Sequence, residues 1–484
     1  MKNTKSTRRD FLKKATVAAA GLTIVPRHVL GGPGYIAPSD QIRIATVGAG
    51  GKGHSDTWRA AGMKKAGGKA KEQVVALCDV DSKTAAKTFA MFPDAKQYKD
   101  YRIMLAEMDD EIDAVIVSTP DHMHAPIGMD AISRGKHVYI QKPLAHDVYE
   151  ARMLTEAARK YNVVTQMGNQ GSSSNDIRRI CEWIDSGIIG DVTQVHAWTN
   201  RPVWEQAMYR PTEKIEVPDH VDWDLFLGSA PERPYHPTYH PFGWRGWWDF
   251  GTGALGDMAC HVIDPAVRAL KLKYPTHVQA FAPFKVKDWS RVNSFESPPL
   301  ATIVHYDFAA REEMPGVRLS WYDGGMMPPR PAELMDDEPM GNWDGGVIFE
   351  GSQGKIMCDC YGANPRLLPL KRMKNFQEPE QTLVRVKDEN HQQNWISAIR
   401  GEAKASSDFD YAGPLTEIVL MGNLAIRSLY AQEEREDRGK KYMAYTGTGI
   451  RLAWDGMAMN ITNYEPANQF VKREYRDGFG LKIG

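Results

Sequence analysis

Two short stretches carry side chains suited to moving a proton and stabilising developing charge. The first is Tyr139-Ile140-Gln141-Lys142-Pro143-Leu144, where Pro143 restricts Lys142 to extended backbone. An ammonium fixed there can donate a hydrogen bond to a substrate oxygen and stabilise an alkoxide. Taken alone, the same residue reads first as a solvated loop lysine. The second stretch is Gly256-Asp257-Met258-Ala259-Cys260-His261-Val262-Ile263-Asp264. On a helix, Asp257, His261 and Asp264 fall on one face, so a carboxylate can orient an imidazole one turn away. A buried histidine satisfied by Asp257 is the plain alternative. A metal site built from Asp257, His261 and His122 or His124 is a third reading, and no metal is assigned. Pro265 removes a hydrogen bond to the carbonyl of His261, so a kink is expected beside the site.

A third stretch, Ile42 to Gly53, reads IRIATVGAGGKG: an apolar run that meets glycines at 48, 50 and 53. This is the G-x-G-x-x-G arrangement of a strand turning into a helix. Gly48 permits the turn, Gly50 lets a pyrophosphate approach the backbone, and Gly53 allows close helix–strand packing. The helix N-terminus then offers N–H groups to phosphates. A second apolar run, Val74 to Cys78, ends in Asp79, 26 residues after Gly53. An acid there holds the ribose 2′-hydroxyl of NAD and repels the 2′-phosphate of NADP.

Positioning these groups requires strands and helices in alternation. Short apolar runs predict strands at 42–47, 74–79, 114–118, 137–140 and 162–167, with a capped helix over 147–160. Such alternation implies a parallel, doubly wound sheet, with ligands at the carboxyl ends of its strands. The third and fourth strands end in Ser118-Thr119-Pro120-Asp121-His122-Met123-His124 and in the Gln141-Lys142-Pro143 stretch. Ile177, Ile180, Cys181 and Ile184 form a helical stripe that leads away from this sheet. Strands are then expected at 192–199, 274–283, 301–308, 317–322, 346–350 and 355–360, with helices over 390–400 and 414–430. The second half is therefore read as an α/β unit with an open, mostly antiparallel sheet. A loop-rich aromatic insertion occupies about 200–250, including Trp244-Arg245-Gly246-Trp247-Trp248. Aromatic faces stack on sugar rings and Arg245 can bind hydroxyls or a carboxylate; sealing a core is the alternative.

Gly48-x-Gly50-x-x-Gly53, Thr119-Pro120 with His124, Lys142-Pro143 and Asp257-x-x-x-His261 follow one another as in the Gfo/Idh/MocA oxidoreductases, which this chain resembles over about 40–430. The resemblance implies a Rossmann domain followed by an α/β domain, and NAD(P)-dependent oxidation of a sugar or cyclitol hydroxyl. It makes Lys142, Asp257 and His261 the catalytic set. It makes Gly48, Gly50, Gly53, Asp79, Thr119, Pro120, His124 and Gln141 the cofactor set and faces Gln170 to the cleft, where Arg245 and Trp247 of the aromatic insertion join it as candidate substrate contacts. Gln141 departs from the family's usual Glu before Lys-Pro. Glycoside hydrolases built on the same scaffold use a different histidine-bearing loop, of which this sequence shows no clear copy. Two alternatives remain: a carbohydrate-binding or sensing protein that retains NAD structurally, and a redox-assisted glycoside-cleaving enzyme.

Length of 484 residues implies more than one domain, and 42% hydrophobic with 25% charged residues is ordinary for a soluble globular chain. The expected division is an export signal and linker over 1–38, an NAD-binding domain over 39–168, a substrate and oligomerisation domain over 169–430, and a packed C-terminal extension over 431–484. The first 30 residues carry a net +6 and the remainder −7, so no basic surface for nucleic acid is expected. Arg8-Arg9-Asp10-Phe11-Leu12-Lys13 before the apolar run Ala15 to Val25 resembles a twin-arginine signal. Export to the periplasm is expected, with no membrane attachment after signal removal. The five cysteines form neither a zinc spacing nor a disulfide framework. The expected partners are a small carbohydrate and further copies of the chain.

Overall fold

The computed structural model describes residues 40–288, 290–291 and 294–482. The twin-arginine stretch lies outside the described residues. Six parallel strands form the first sheet: β1 (Arg43–Val47), β2 (Gln73–Cys78), β3 (Lys96–Tyr98), β4 (Ala114–Val117), β5 (His137–Ile140) and β6 (Thr165–Met167), in the order β3-β2-β1-β4-β5-β6. Each of β1, β2, β4 and β5 is a short Val/Ile/Ala-rich run, apolar on both faces because helices cover both. The crossover helices include α1 (Gly51–Ala60), α2 (Ser82–Met91), α3 (Tyr101–Glu107), α4 (His124–Ser133) and α5 (Val148–Tyr161).

Local chemistry sets these boundaries. Asp81 caps α2 by accepting the Lys83 and Thr84 N–H groups, and Asp147 caps α5 by accepting that of Glu150. Asn162 ends α5 in the left-handed region at φ 50°, so β6 starts at Thr165, three residues later than the apolar pattern implied. The edge strand β3 escaped the sequence reading because Lys96-Gln97-Tyr98 has no buried side chain to mark it.

Nine strands form the second sheet. They are β7 (Val192–Thr199), β8 (His277–Phe281), β9 (Ile303–Phe308), β10 (Val317–Tyr322), β11 (Gly345–Gly351), β12 (Gly354–Asp359), β13 (Arg366–Leu368), β14 (Leu452–Asp455) and β15 (Asn460–Ile461). Their order is β13-β12-β11-β7-β10-β9-β8-β14-β15, and only β7 with β10 is parallel. Alternating burial along β9 shows one covered face and one half-exposed face. The fold is thus a Rossmann sheet followed by a mostly antiparallel one, as the strand pattern implied.

Between the sheets, α6 (Asn175–Asp185) carries the isoleucine stripe, and the stretch bearing Asp257 and His261 forms α8 (Gly253–Val262). The helix breaks at Ile263, and α9 (Asp264–Ala269) begins with Asp264 and Pro265. Asp264 therefore does not continue the face of Asp257 and His261. It is buried, accepting hydrogen bonds from Asn169 Nδ2 at 3.0 Å and from the Tyr411 hydroxyl. The insertion contributes a short α7 (Trp223–Leu227) and an aromatic core in which Trp223 stacks on Phe226 at 4.9 Å.

All five cysteines are buried and unpaired. The C-terminal residues Ala467, Val471 and Phe479 are buried in the main core.

The tightest joint in the first sheet is the crossing of β1 and α1. A Cβ on Gly53 would sit 1.8 Å from the Gly48 carbonyl oxygen. Gly53→Ala is therefore expected to lower stability by about 1–3 kcal/mol, the usual cost of overpacking. A denaturant melt reads it; an unchanged midpoint would contradict the packing described.

Candidate active site

One continuous cavity of about 560 Å³ runs from the glycine turn of the first sheet to α8. At its first end Gly48 takes φ +79° and donates its N–H to the Cys78 carbonyl at 2.9 Å. A Cβ there would meet the Ser118 backbone at 2.7 Å, and one on Gly50 would meet that of Thr84 at 2.9 Å. No side chain caps α1, which leaves its first-turn N–H groups for an anion. Asp79 accepts the N–H of Gly50 at 2.8 Å and that of Asp81 at 2.9 Å. Burial raises its carboxyl to about 6 against those two donors. Bare backbone, a free helix start and a fixed carboxylate at the end of β2 suit a dinucleotide.

The other end brings the two halves together. Lys142 Nζ donates to Asp257 Oδ1 and to the Asp257 carbonyl, both at 2.8 Å. Arg245 Nε donates to the same Oδ1 at 3.3 Å. Burial acts to raise the Asp257 carboxyl, but the two cations outweigh it and hold it at about 2. His261 lines the cavity one turn on, its ring edge-on to Tyr361 at 4.9 Å between centroids. Its Nδ1 is buried with no hydrogen-bond partner among the described residues. Burial, aided by the Lys142 charge, pushes its pKa well below 6.5, so the ring is neutral near pH 7. Asp257 thus serves Lys142 and Arg245 rather than orienting His261 through a hydrogen bond. Tyr361 holds φ 64°, a left-handed conformation that a bulky side chain seldom adopts.

Several expected contacts take other places. Thr119, Pro120, Gln141, Gln170 and Arg245 line the cavity with Gly48, Gly50, Asp79, Lys142, Asp257 and His261, while Gly53 packs behind it against Gly48. His124 does not: its Nδ1 lies 2.7 Å from the Pro143 carbonyl and its Nε2 2.8 Å from that of Thr119, so it ties the two strand-end loops together. Trp247 is 1% exposed and donates its indole N–H to the Thr238 carbonyl in the insertion core. From the Trp244-to-Trp248 neighbourhood, Trp244 and Phe242 are the aromatics that line the cavity, and Arg245 lies over their rings at 4.1 and 4.6 Å. His122 sits between the carbonyls of Phe226 and Phe250. Among the described residues no cluster suits a metal ion.

Two acids escaped the sequence reading. Gln141 Nε2 donates to Asp56 Oδ2 at 2.7 Å, and Gln392 and Lys52 hold Oδ1. The carboxylate missing at position 141 is thus supplied from α1. The spacing Lys52-x-x-x-Asp56 was the only sequence signal for it. Asp121 lines the cavity, buried, with Thr252 Oγ1 donating to its Oδ2 at 2.6 Å. Burial raises it to about 7, against the nearby Lys142 and Arg245 charges.

Comparison with known proteins agrees with this arrangement. Residues 42–169 match the Gfo/Idh/MocA family model described as an oxidoreductase family, NAD-binding Rossmann fold, and residues 173–293 match that family's C-terminal alpha/beta domain. A glycosyl hydrolase family 109 protein of Shewanella pealeana is 26% identical over 39% of this chain and 44% of its own length. The levoglucosan dehydrogenase of Pseudarthrobacter phenanthrenivorans is 26% identical over 46% of this chain and 50% of its own. The chain therefore spans half or less of the length of these curated relatives. Among solved structures, the WlbA dehydrogenase of Bordetella pertussis in complex with NADH and UDP-GlcNAcA superposes with a TM-score of 0.54 at 16% identity, covering 80% of this chain and 97% of that one.

Proton release on oxidising an alcohol needs an acceptor. His261 is already neutral at pH 6.5, so it places no titration there, whereas Asp121 gains acceptor capacity as pH rises through about 7. A reaction that releases a proton into this cavity is expected to speed up across pH 6–8, and Asp121→Asn to flatten that rise. A pH–rate profile checks this; an unchanged rise in the variant would remove Asp121 from the proton path.

Proposed function

Because this chain belongs to the Gfo/Idh/MocA family of NAD-binding oxidoreductases, we propose that it oxidises a hydroxyl of a sugar, glycoside or cyclitol in the cavity between its two sheets. The observation that carries the reading is the meeting of Lys142, from the end of β5, with Asp257 on α8 beside His261. NAD held along the glycine turn and Asp79 supplies the hydride acceptor. His261 or Asp121 takes the hydroxyl proton. Lys142, held in place by Asp257, steadies the oxygen as negative charge develops on it. A binding or sensing protein has no use for this set of proton-handling groups.

We further propose that the protein is exported in folded form by the twin-arginine route, and that its NAD stays bound and is recycled by a second substrate or by re-reduction of the same one. The latter supports a redox-assisted glycoside cleavage. Retention of the cofactor rests on a wall at the Asp79 end of the cavity. Phe479, from the C-terminal segment, lines it together with Leu225 and Phe226 of the insertion. Arg102 lies over the Phe479 ring at 4.1 Å. Arg476 donates to the carbonyls of Gly228 and Asp224 at 2.8 and 2.7 Å. The insertion is tied down again where His220 Nδ1 and His240 Nε2 each lie 2.8 Å from the Asp81 carboxylate.

Two measurements test this. Protein purified without added cofactor is expected to release NAD on denaturation, and a panel of glycosides to include one that generates reduced-nicotinamide absorbance. Phe479→Ala is expected to speed loss of NAD on dialysis about tenfold, equivalent to ~1.4 kcal/mol. Protein that carries no nicotinamide, or a variant that retains it as firmly as the parent, would count against bound, recycled NAD. A panel with no reducing glycoside would count against the oxidoreductase reading.

A further inference from the structure

Arg201 follows β7 and lines the same cavity as Lys142, His261 and Tyr361, where its charge bears on the Tyr361 hydroxyl. Only one corner of its guanidinium is engaged. NH1 donates to Asp344 Oδ1 at 3.0 Å and to the Asn200 side chain. Nε and NH2 have no hydrogen-bond partner among the described residues. That edge, two parallel N–H bonds in one plane, is the one that receives a carboxylate in bidentate fashion. Arg245 is similarly part-used: Nε serves Asp257, NH1 donates to the Phe242 carbonyl at 3.3 Å, and NH2 is open. Trp244 and Phe242 fix its plane, so it enters the cavity already ordered.

Charge points the same way. Three cations, Lys142, Arg245 and Arg201, stand against Asp257, Asp344 and Asp121, and burial raises Asp121 to about 7, so it is only partly ionised near neutral pH. A neutral ring offers this edge only uncharged hydroxyl oxygens, which pair with a guanidinium more weakly than a carboxylate does once the cavity is desolvated. We propose that the substrate is a carboxylate-bearing sugar of the uronic-acid type, with Arg201 as the residue that selects the acid and Arg245 assisting. This rests on the reading of the cavity as a sugar-oxidising site.

Titration calorimetry of the purified protein with its own cofactor, using D-glucuronate, D-glucose and glucose 6-sulfate, tests it. D-glucuronate is expected to bind at least tenfold more tightly than either of the others. Arg201→Met should collapse the acid-to-neutral ratio to near one. Arg201→Lys, which keeps the charge for Asp344 but lacks the planar edge, should leave an intermediate ratio and guards against a folding artefact. Equal binding of acid and neutral sugar, preference for the sulfate, or a ratio unmoved in both variants would overturn the proposal. Methyl glucuronide and methyl glucoside as reductants of the bound nicotinamide separate the two readings. Equal turnover of both sinks the acid preference and leaves the oxidoreductase reading standing. Preferential binding with no turnover of either leaves the acid site and sinks the oxidoreductase reading.

Discussion

Everything at the reactive end depends on one half-buried carboxylate, Asp257, which accepts from Lys142 of the first half and Arg245 of the insertion. Taking such charges out of water is costly, and the ion cluster repays that cost only if its geometry is kept. Removing Asp257 would take the shared partner from both cations. The cluster is therefore better understood as fixing where an ammonium stands than as a source of net stability. It also joins the two sheets at the point where a substrate oxygen would lie.

The same logic extends outward. His124 ties the Thr119 and Pro143 loops, which hold the strand ends that present Thr119 and Lys142 to the cavity. Asp56 collects Gln141, Lys52 and Gln392 around one buried carboxylate under the cofactor cavity. A glutamate at 141 would set two carboxylates side by side there, so Gln141 and Asp56 form a matched pair rather than a simple loss of charge. Asp81 and Arg476 anchor the insertion and the C-terminal segment across the far end. Each is a polar group in a partnered role, and together they shape a cavity that the two sheets alone would leave open.

Much of this is legible in the order of the residues. Glycine spacing, apolar strand runs and the Asp147 helix cap are local signals, and local signals survive in a one-dimensional reading. The groups that escaped depend on tertiary placement. Asp121 looks like a turn residue until Thr252, 131 positions away, donates a hydrogen bond to it. Arg201 has no motif about it. Tryptophans 244 and 247 are indistinguishable by composition, yet one lines the cavity and the other fills a core. The periodicity that set Asp264 on one face with His261 failed because Pro265 begins a new helix there.

The central claim is that Lys142 acts on the substrate oxygen, held in place by Asp257. Single-turnover reduction of the nicotinamide already bound, compared between the parent protein and Lys142→Ala at matched cofactor content, addresses it directly. The account predicts a loss of at least about a hundredfold in the variant, as for removal of an oxyanion donor, with cofactor retained. A variant that reduces its bound nicotinamide at the parent rate would contradict it.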